Sequence, residues 1–361
     1  MSTAILSEVL RAEQRIRPHI RETPLDPSPI LSELGGANVW VKLENLQYTG
    51  SFKLRGATNK VLSLTAEERA AGVVTASSGN HGAAVAYSLQ KLGASGTIFV
   101  PEIVSPAKET MIRRYGAQIR KIGNDSAISE AEARIYAEKQ GLVYISPYND
   151  PQVIGGQGTI GVEIGRQLRP QPLPSPPLLR EGTVTGDVTN VDLSVTIPSL
   201  RVPSGRGGLG RGPAVFISLG GGGLISGIAT YLKTLDPTVQ IIACSPTNSA
   251  VMQHSVAAGR IIDEESLDTL SDGTAGGVEP GAITFELVRD LVDSYVDVAE
   301  DEIAAAMRLF MEHHHMMIEG SAGVAIAGYL RLKEQFVGRD VVIVICGANI
   351  SLAKLTTVLT K

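Results

Sequence analysis

Only two cysteines occur in 361 residues, Cys244 and Cys346, far apart and outside any CxxC spacing. Their scarcity excludes a disulfide framework and a thiolate metal site, and it fits a reducing cytoplasm. An excess of one charge sign is also missing, with a formal net charge of −5 and a pI near 5.8. A basic face for nucleic acid or for an anionic membrane surface is therefore not expected. Long hydrophobic runs are absent too: no stretch reaches the length of a membrane span. The opening MSTAILSEVLRAEQRIRPHI mixes charges with apolar residues at helical spacing, where a signal peptide would carry an unbroken apolar core. What is present is a chain with 43% hydrophobic residues, long enough for one large domain or two modest ones, each with a real core.

From Val73 onward, short β-branched runs alternate with amphipathic stretches: VVTA then HGAAVAYSLQKLG, TIFVP then SPAKETMIRRYG, AQIRKIG then ISEAEARIYAEKQG, and finally LVYISP. That rhythm predicts parallel strands joined by crossover helices. A second series follows Asp150, in which AVFISLGGGGLISGIATYLKTL reads as strand, glycine turn and helix, QIIACSP as a strand, DEIAAAMRLFMEHHHMM and AGVAIAGYLRLKEQ as helices, and DVVIVICGA as an apolar strand entering a small-residue turn. The expected fold class is α/β, with two twisted, mainly parallel sheets and helices on both faces. Ligands of open α/β sheets sit beyond the carboxyl ends of the strands. Chemistry is therefore sought at residues 77–81, 220–223 and 346–349. Between Arg169 and Pro213 the pattern breaks into a Pro- and Gly-rich text with no sustained period, which reads as a surface insertion with room for a short hairpin in VTNVDLSVTIP.

Three places carry candidate chemistry. In KLENLQYTGSFKLRGA, Lys53 stands between Phe52 and Leu54 after a Gly-Ser turn. Apolar neighbours desolvate an ammonium and free the amine for Schiff-base formation, although a lysine beside a phenylalanine is more often a snorkelling surface residue. ASSGNHGAAVAY follows a strand and opens a helix, so backbone N–H groups and the helix dipole favour an anion there, with Ser77, Ser78, Asn80 and His81 adding side-chain donors. An ordinary N-cap turn would look the same. SLGGGGLISG sets Gly220, Gly221, Gly222 and Gly223 between a strand and a helix, a run that lets the backbone close on a phosphate. It lacks the Lys-Ser/Thr of a nucleotide P-loop, so a single phosphate on a cofactor tail is the better guess, against tight structural packing as the plain alternative.

Together, SFKLRGA, SSGNHG, PYND, GGQGTIGVEI, GGGGLISG and CGAN occur in one order from about Leu25 to the end, apart from the insertion. In this combination the chain resembles the fold-type II pyridoxal-phosphate enzymes, in particular the threonine/serine dehydratase and serine racemase family. The resemblance implies a tryptophan synthase beta-like architecture, with a large cofactor-binding domain of residues 1–71 and 149–361, carrying the insertion at 170–212, and a small domain of residues 72–148. It implies that Lys53 holds pyridoxal 5'-phosphate as a Schiff base and that Phe52 flanks the cofactor. Asn80 would bond the ring oxygen, and Gly220, Gly221, Gly222, Gly223 and Leu224 would bind the phosphate. Ser77, Ser78, Asn80 and His81 would receive a small hydroxy-amino acid through its carboxylate. Cys346 falls where the pyridine nitrogen is met. A thiol, neutral near pH 7 with an ordinary pKa of about 8.5, cannot force that nitrogen to stay protonated as a carboxylate would. The ring is then a weaker electron sink, which favours β-elimination over transamination. A small buried strand-end residue is the plain alternative for Cys346.

The activity so implied is dehydration and deamination of L-threonine and L-serine to a 2-oxo acid and ammonia, with Lys53 removing the α-proton. Ser78 stands where serine racemase has its second acid/base, so racemisation is an alternative, as is dehydration of another β-hydroxy amino acid such as phenylserine. A relative that binds without turnover is a third class, disfavoured by the intact Lys53. Ser245 and Val251 replace carboxylates that would help hold a divalent cation, which speaks against metal activation of that kind. His313, His314 and His315 are successive and point around a helix, not at one metal ion. Glu319 resembles an acidic residue near the family's cofactor, either positioning the ring or capping a helix, and the SDGTAGGVEPGAITFEL segment is expected to shape the substrate pocket. The chain ends soon after CGANIS, so a C-terminal effector module with control by isoleucine is not expected; a homodimer is.

Overall fold

The computed structural model describes residues 1–168 and 212–360. The insertion and its suggested hairpin therefore lie outside the described residues, apart from Gly212. Among the described residues, ten strands form two sheets. β1 (Leu25–Pro27), β2 (Asn38–Leu43), β7 (Ala214–Ser218), β8 (Gln240–Pro246), β9 (Ser294–Val298) and β10 (Asp340–Ile345) make a six-stranded sheet in the order β1-β2-β10-β7-β8-β9. Only β1 runs antiparallel to its neighbour. β3 (Val73–Ala76), β4 (Gly96–Val100), β5 (Gln118–Lys121) and β6 (Val143–Tyr144) make a parallel sheet in the order β5-β4-β3-β6. This is the expected α/β class.

Composition sorts the strands within each sheet. AVFI of β7 and VVIVI of β10 are uninterrupted apolar runs, buried along their length, as parallel strands covered on both faces must be. The edges read differently: β1 contains Pro27, which cannot donate to a ladder, and β5 is the charged and largely exposed QIRK. Centring β10 between β2 and β7 has a direct consequence. The carboxyl ends of β10 and β7, followed by residues 346–349 and 220–223, lie side by side and next to that of β2, which leads toward Lys53, while residues 77–81 follow β3 of the other sheet.

The helix Pro151–Gln167 ties the parts together. Its residues from Val153 to Gly165 are all buried, a pattern possible only for a helix packed on every side. Asp150 caps it, its carboxylate accepting from the N–H groups of Gln152 and Val153 at 2.8 and 3.0 Å. Gly156 explains how closely it lies on the Lys53–Ser63 helix, because a Cβ there would sit 2.6 Å from the backbone of Arg55 and Gly56.

Candidate active site

Lys53 begins a helix immediately after a backbone corner that the last loop of the chain holds in place. Gly50 takes a left-handed φ of 72°, and Ser51 bridges to Gly347. The Phe52 N–H donates to the Cys346 carbonyl at 3.0 Å and the Ala348 N–H to the Gly50 carbonyl at 2.9 Å. The amine of Lys53 donates to the Pro147 carbonyl at 2.8 Å and lies 5.2 Å from the centre of the Phe52 ring. Enclosure lowers its pKa to about 8, with Cys346 and Glu319 pulling weakly the other way.

Pro147 leads directly to Tyr148, and Tyr148 forms the wall of the glycine turn. A Cβ on Gly221 would stand 2.6 Å from the Tyr148 ring, and one on Gly223 would stand 3.0 Å from its Cα. The backbone of Thr274 closes the other side at 2.8 Å from a Cβ on Gly220. Gly222, with a φ of 86°, turns the chain into the helix Gly223–Leu235, whose first residues Gly223 and Leu224 are buried. The turn is thus packed from outside by groups that leave no room for side chains. Its backbone N–H groups and the positive end of the helix remain for an anion.

The corner after β3 is built differently. Ser77, Ser78, Gly79 and Asn80 are half-buried, and a Cβ on Gly79 would meet nothing within 4 Å. The Gly79 N–H donates to the Ser77 hydroxyl at 3.2 Å. His81, the second residue of the helix Asn80–Leu92, is 2% exposed, with Nε2 3.1 Å from the Ile145 carbonyl and Nδ1 unpartnered. Burial, reinforced by Lys53, pushes its pKa down to about 3. Its ring is therefore neutral and turned into the protein, so any part it takes at the surface of this corner comes from its backbone.

Glu319 joins the two sides. Its carboxylate accepts from Asn80 Nδ2 at 3.0 and 2.9 Å and from the Asn349 N–H at 3.1 Å, and it lies 3.9 Å from Cys346 Sγ. Asn349 Nδ2 in turn donates to Asn80 Oδ1 at 2.7 Å. Burial raises the Glu319 carboxyl to about 7 and pushes the Cys346 thiol well above its ordinary range. Lys53, Phe52, Asn80, Cys346 and the glycine turn are thus linked near the strand ends through Pro147, Tyr148 and Glu319. An amine, an amide, a thiol and a helix N-terminus together suit a phosphorylated aldehyde with a ring nitrogen and a ring oxygen.

Sequence reasoning passed over several of these groups. PYND was legible as a motif, but nothing in it says that Pro147 receives the lysine or that Tyr148 backs the glycines. A buried ion network two residues beyond Lys53 was also missed. Arg55 donates to Glu44 at 2.8 Å from both Nε and Nη2, and to Glu163 at 2.7 and 2.8 Å, while Lys42 reaches Glu163 at 2.6 Å. All four side chains are inaccessible, and the paired cations hold the Glu163 carboxyl down to about 2. The three histidines diverge: His314 meets the Ser28 hydroxyl at 2.8 Å and stacks on Phe310, His313 is exposed, and His315 ends the helix with a φ of 55°. Among the described residues, no group of three or more His, Cys, Asp or Glu is placed to hold a metal ion.

The family described as "Pyridoxal-phosphate dependent enzyme" matches residues 16–175 and 208–347. The chain belongs to that family. It is 37% identical over 358 residues to an L-threonine ammonia-lyase of Thermotoga maritima, covering 99% of this chain and 78% of that one. It is 33% identical over 355 residues to the catabolic L-threonine dehydratase of Escherichia coli, covering 98% and 95%. Among solved structures, the processed form of threonine deaminase isoform 2 from Solanum lycopersicum superposes with a TM-score of 0.83 at 32% identity, covering 99% of this chain and 92% of that one. The serine racemase of Dictyostelium discoideum gives 0.79 at 31% identity, covering 96% and 99%. Pyridoxal phosphate is accordingly the cofactor of this chain, and the two sequence relatives above are a threonine ammonia-lyase and a threonine dehydratase. No helix among the described residues is long and apolar enough to cross a membrane.

Proposed function

We propose that the chain dehydrates and deaminates L-threonine, and L-serine with it, to a 2-oxo acid and ammonia. The observation that carries this reading is the Lys53 amine, desolvated and hydrogen-bonded to the residue next to Tyr148, the wall of the glycine turn. Lys53 would hold the cofactor, with the turn Gly220–Gly223 and Leu224 on its phosphate, Phe52 beside the ring, Asn80 at the ring oxygen and Cys346 at the ring nitrogen. When bound, the cofactor supplies the electron sink for bond breaking at the substrate's Cα. The open corner of Ser77, Ser78, Asn80 and the backbone of His81 would bind the substrate carboxylate and so orient the Cα–H bond toward Lys53. Lys53 takes that proton. A pKa near 8 leaves about three-hundred-fold more neutral amine at pH 7 than the ordinary 10.5 would. The β-hydroxyl then departs as water with the proton that Lys53 has gained, and the enamine released takes up water to give the 2-oxo acid and ammonia.

Lys53→Ala tests the reading: it should abolish both the visible absorbance of bound cofactor and 2-oxo acid release from L-threonine. Retention of either overturns it. A second reading, serine racemisation, has support in the half-buried Ser78 beside Asn80 and in the likeness to a serine racemase. Chiral analysis after incubation with L-serine separates the two, and L-threo-phenylserine in the same panel tests for a bulkier substrate. We further infer a homodimer in a reducing cytoplasm, the latter supported by two free, buried cysteines. A small domain of residues 72–148, separate from 1–71 with 149–361, is supported by the independent four-stranded sheet.

A further inference from the structure

Glu319 is 6% exposed and makes more directed contacts in the site than its position before the Gly320–Leu332 helix requires. Its side chain occupies the space that a Cβ on Gly347 would need, at 2.7 Å, and its backbone N–H donates to the Gly347 carbonyl at 3.0 Å. It is thereby fixed to the loop that carries Cys346. An ionised carboxylate can only accept, so Asn80 must present its amide nitrogen to it. The other end of the Asn80 amide is also committed, since Oδ1 accepts from Asn349 Nδ2, which itself is anchored on the Thr49 carbonyl at 2.8 Å. The amide therefore has one orientation while Glu319 is ionised. Resting on the reading above, we infer that Glu319 is a positioning residue that locks the Asn80 amide with its second N–H turned to the cofactor's ring oxygen, and so sets the ring's seat.

Protonation would undo this lock. A neutral carboxyl can donate, so the restraint that Glu319 places on the amide is lifted and only the bond from Asn349 still orients it. The charged and titratable groups that face Glu319 are Lys53 from its helix, Asp272 from the preceding loop and the Cys346 thiol, with the Asn80 amide and the Asn349 N–H as neutral donors. Burial, with Asp272 acting the same way, outweighs Asn80, Asn349 and Lys53 and brings the carboxyl to about 7, so the lock is half-released in the neutral range.

The experiment is a pH titration of the visible absorbance of the holoenzyme, with steady-state kinetics on L-threonine, for the parent, Glu319→Gln and Asn80→Ala. The parent should show a neutral-range inflection that Glu319→Gln lacks. Glu319→Gln should lose about tenfold in kcat with KM changed less than about twofold, as expected for a group that acts on the transition state and not on substrate binding. Asn80→Ala removes a donor that favours the ionised carboxyl, so its inflection should move to higher pH; this variant serves also if Glu319→Gln folds poorly. An inflection that stays in place in both variants overturns the proposal. The Lys53→Ala control keeps the two ideas apart, because persistent absorbance there sinks the functional reading, whereas its loss beside an unaltered Glu319→Gln sinks only the lock.

Discussion

Two corners of this protein share one plan, a parallel strand turning into a helix at its carboxyl end, yet they are finished in opposite ways. After β7, the Gly220–Gly223 turn is wedged between the Tyr148 ring and the Thr274 backbone, with no room for a single methyl group at Gly220 or Gly221. After β3, Gly79 faces open space and its serine and asparagine neighbours are half-buried. The first corner suits a group that stays, gripped by backbone whose geometry cannot adjust. The second suits a ligand that comes and goes, met by side chains free to form and release hydrogen bonds. Lys53 lies between them, on a segment held from behind by the buried ions of Arg55, Glu44, Glu163 and Lys42.

The comparison can be broken most severely from behind. Arg55→Met leaves two buried carboxylates facing one lysine and should cost about 3–5 kcal/mol in urea or thermal unfolding. Acid should act on the same network. The Glu163 carboxyl lies below its ordinary 4.5 in the folded state, so its contribution is complete above pH 4.5 and is lost as the pH falls through about 2. A urea midpoint followed against pH should show that acid loss in the parent and a weaker one in Glu163→Gln.

Next in size is the closed corner itself. Gly221→Ala drives a Cβ into the Tyr148 ring and should cost about 1–3 kcal/mol of stability, together with release of cofactor on dialysis. Tyr148→Phe keeps the wall but removes the hydroxyl that accepts from the Glu279 N–H at 2.9 Å, so a loss of only about 1 kcal/mol is expected, with cofactor retained. The smallest effect belongs to the open corner. Gly79→Ala should change the unfolding midpoint by less than about 0.5 kcal/mol, and a loss as large as that of Gly221→Ala would erase the distinction drawn between the corners.

The corners were readable in advance because their signals are local. Strand, glycine run and helix succeed one another within a dozen residues, and apolar periodicity identifies each. The fold class follows from the same rhythm repeated along the chain. The groups that complete the site were not readable, because each depends on pairing across the chain: Arg55 meets Glu163 108 residues away, and Asn80 meets Glu319 239 residues away. From sequence, a glutamate before a small-residue helix reads as either a cap or a group that positions the ring, and only its neighbours in space make it a hub. His81 illustrates the reverse case, a polar residue in the right loop whose ring turns into the core.

By itself, the order of residues decided that this chain alternates strands with helices, that glycines and donors sit at the turns, and that a lysine stands among apolar neighbours. Placing β10 between β2 and β7 was a decision of the tertiary structure, and that placement brings Cys346, Lys53 and the glycine turn to one sheet edge. So was the shift of the lysine and the glutamate toward neutrality, since burial and the charges nearby are properties of packed neighbours and not of the chain that supplies them.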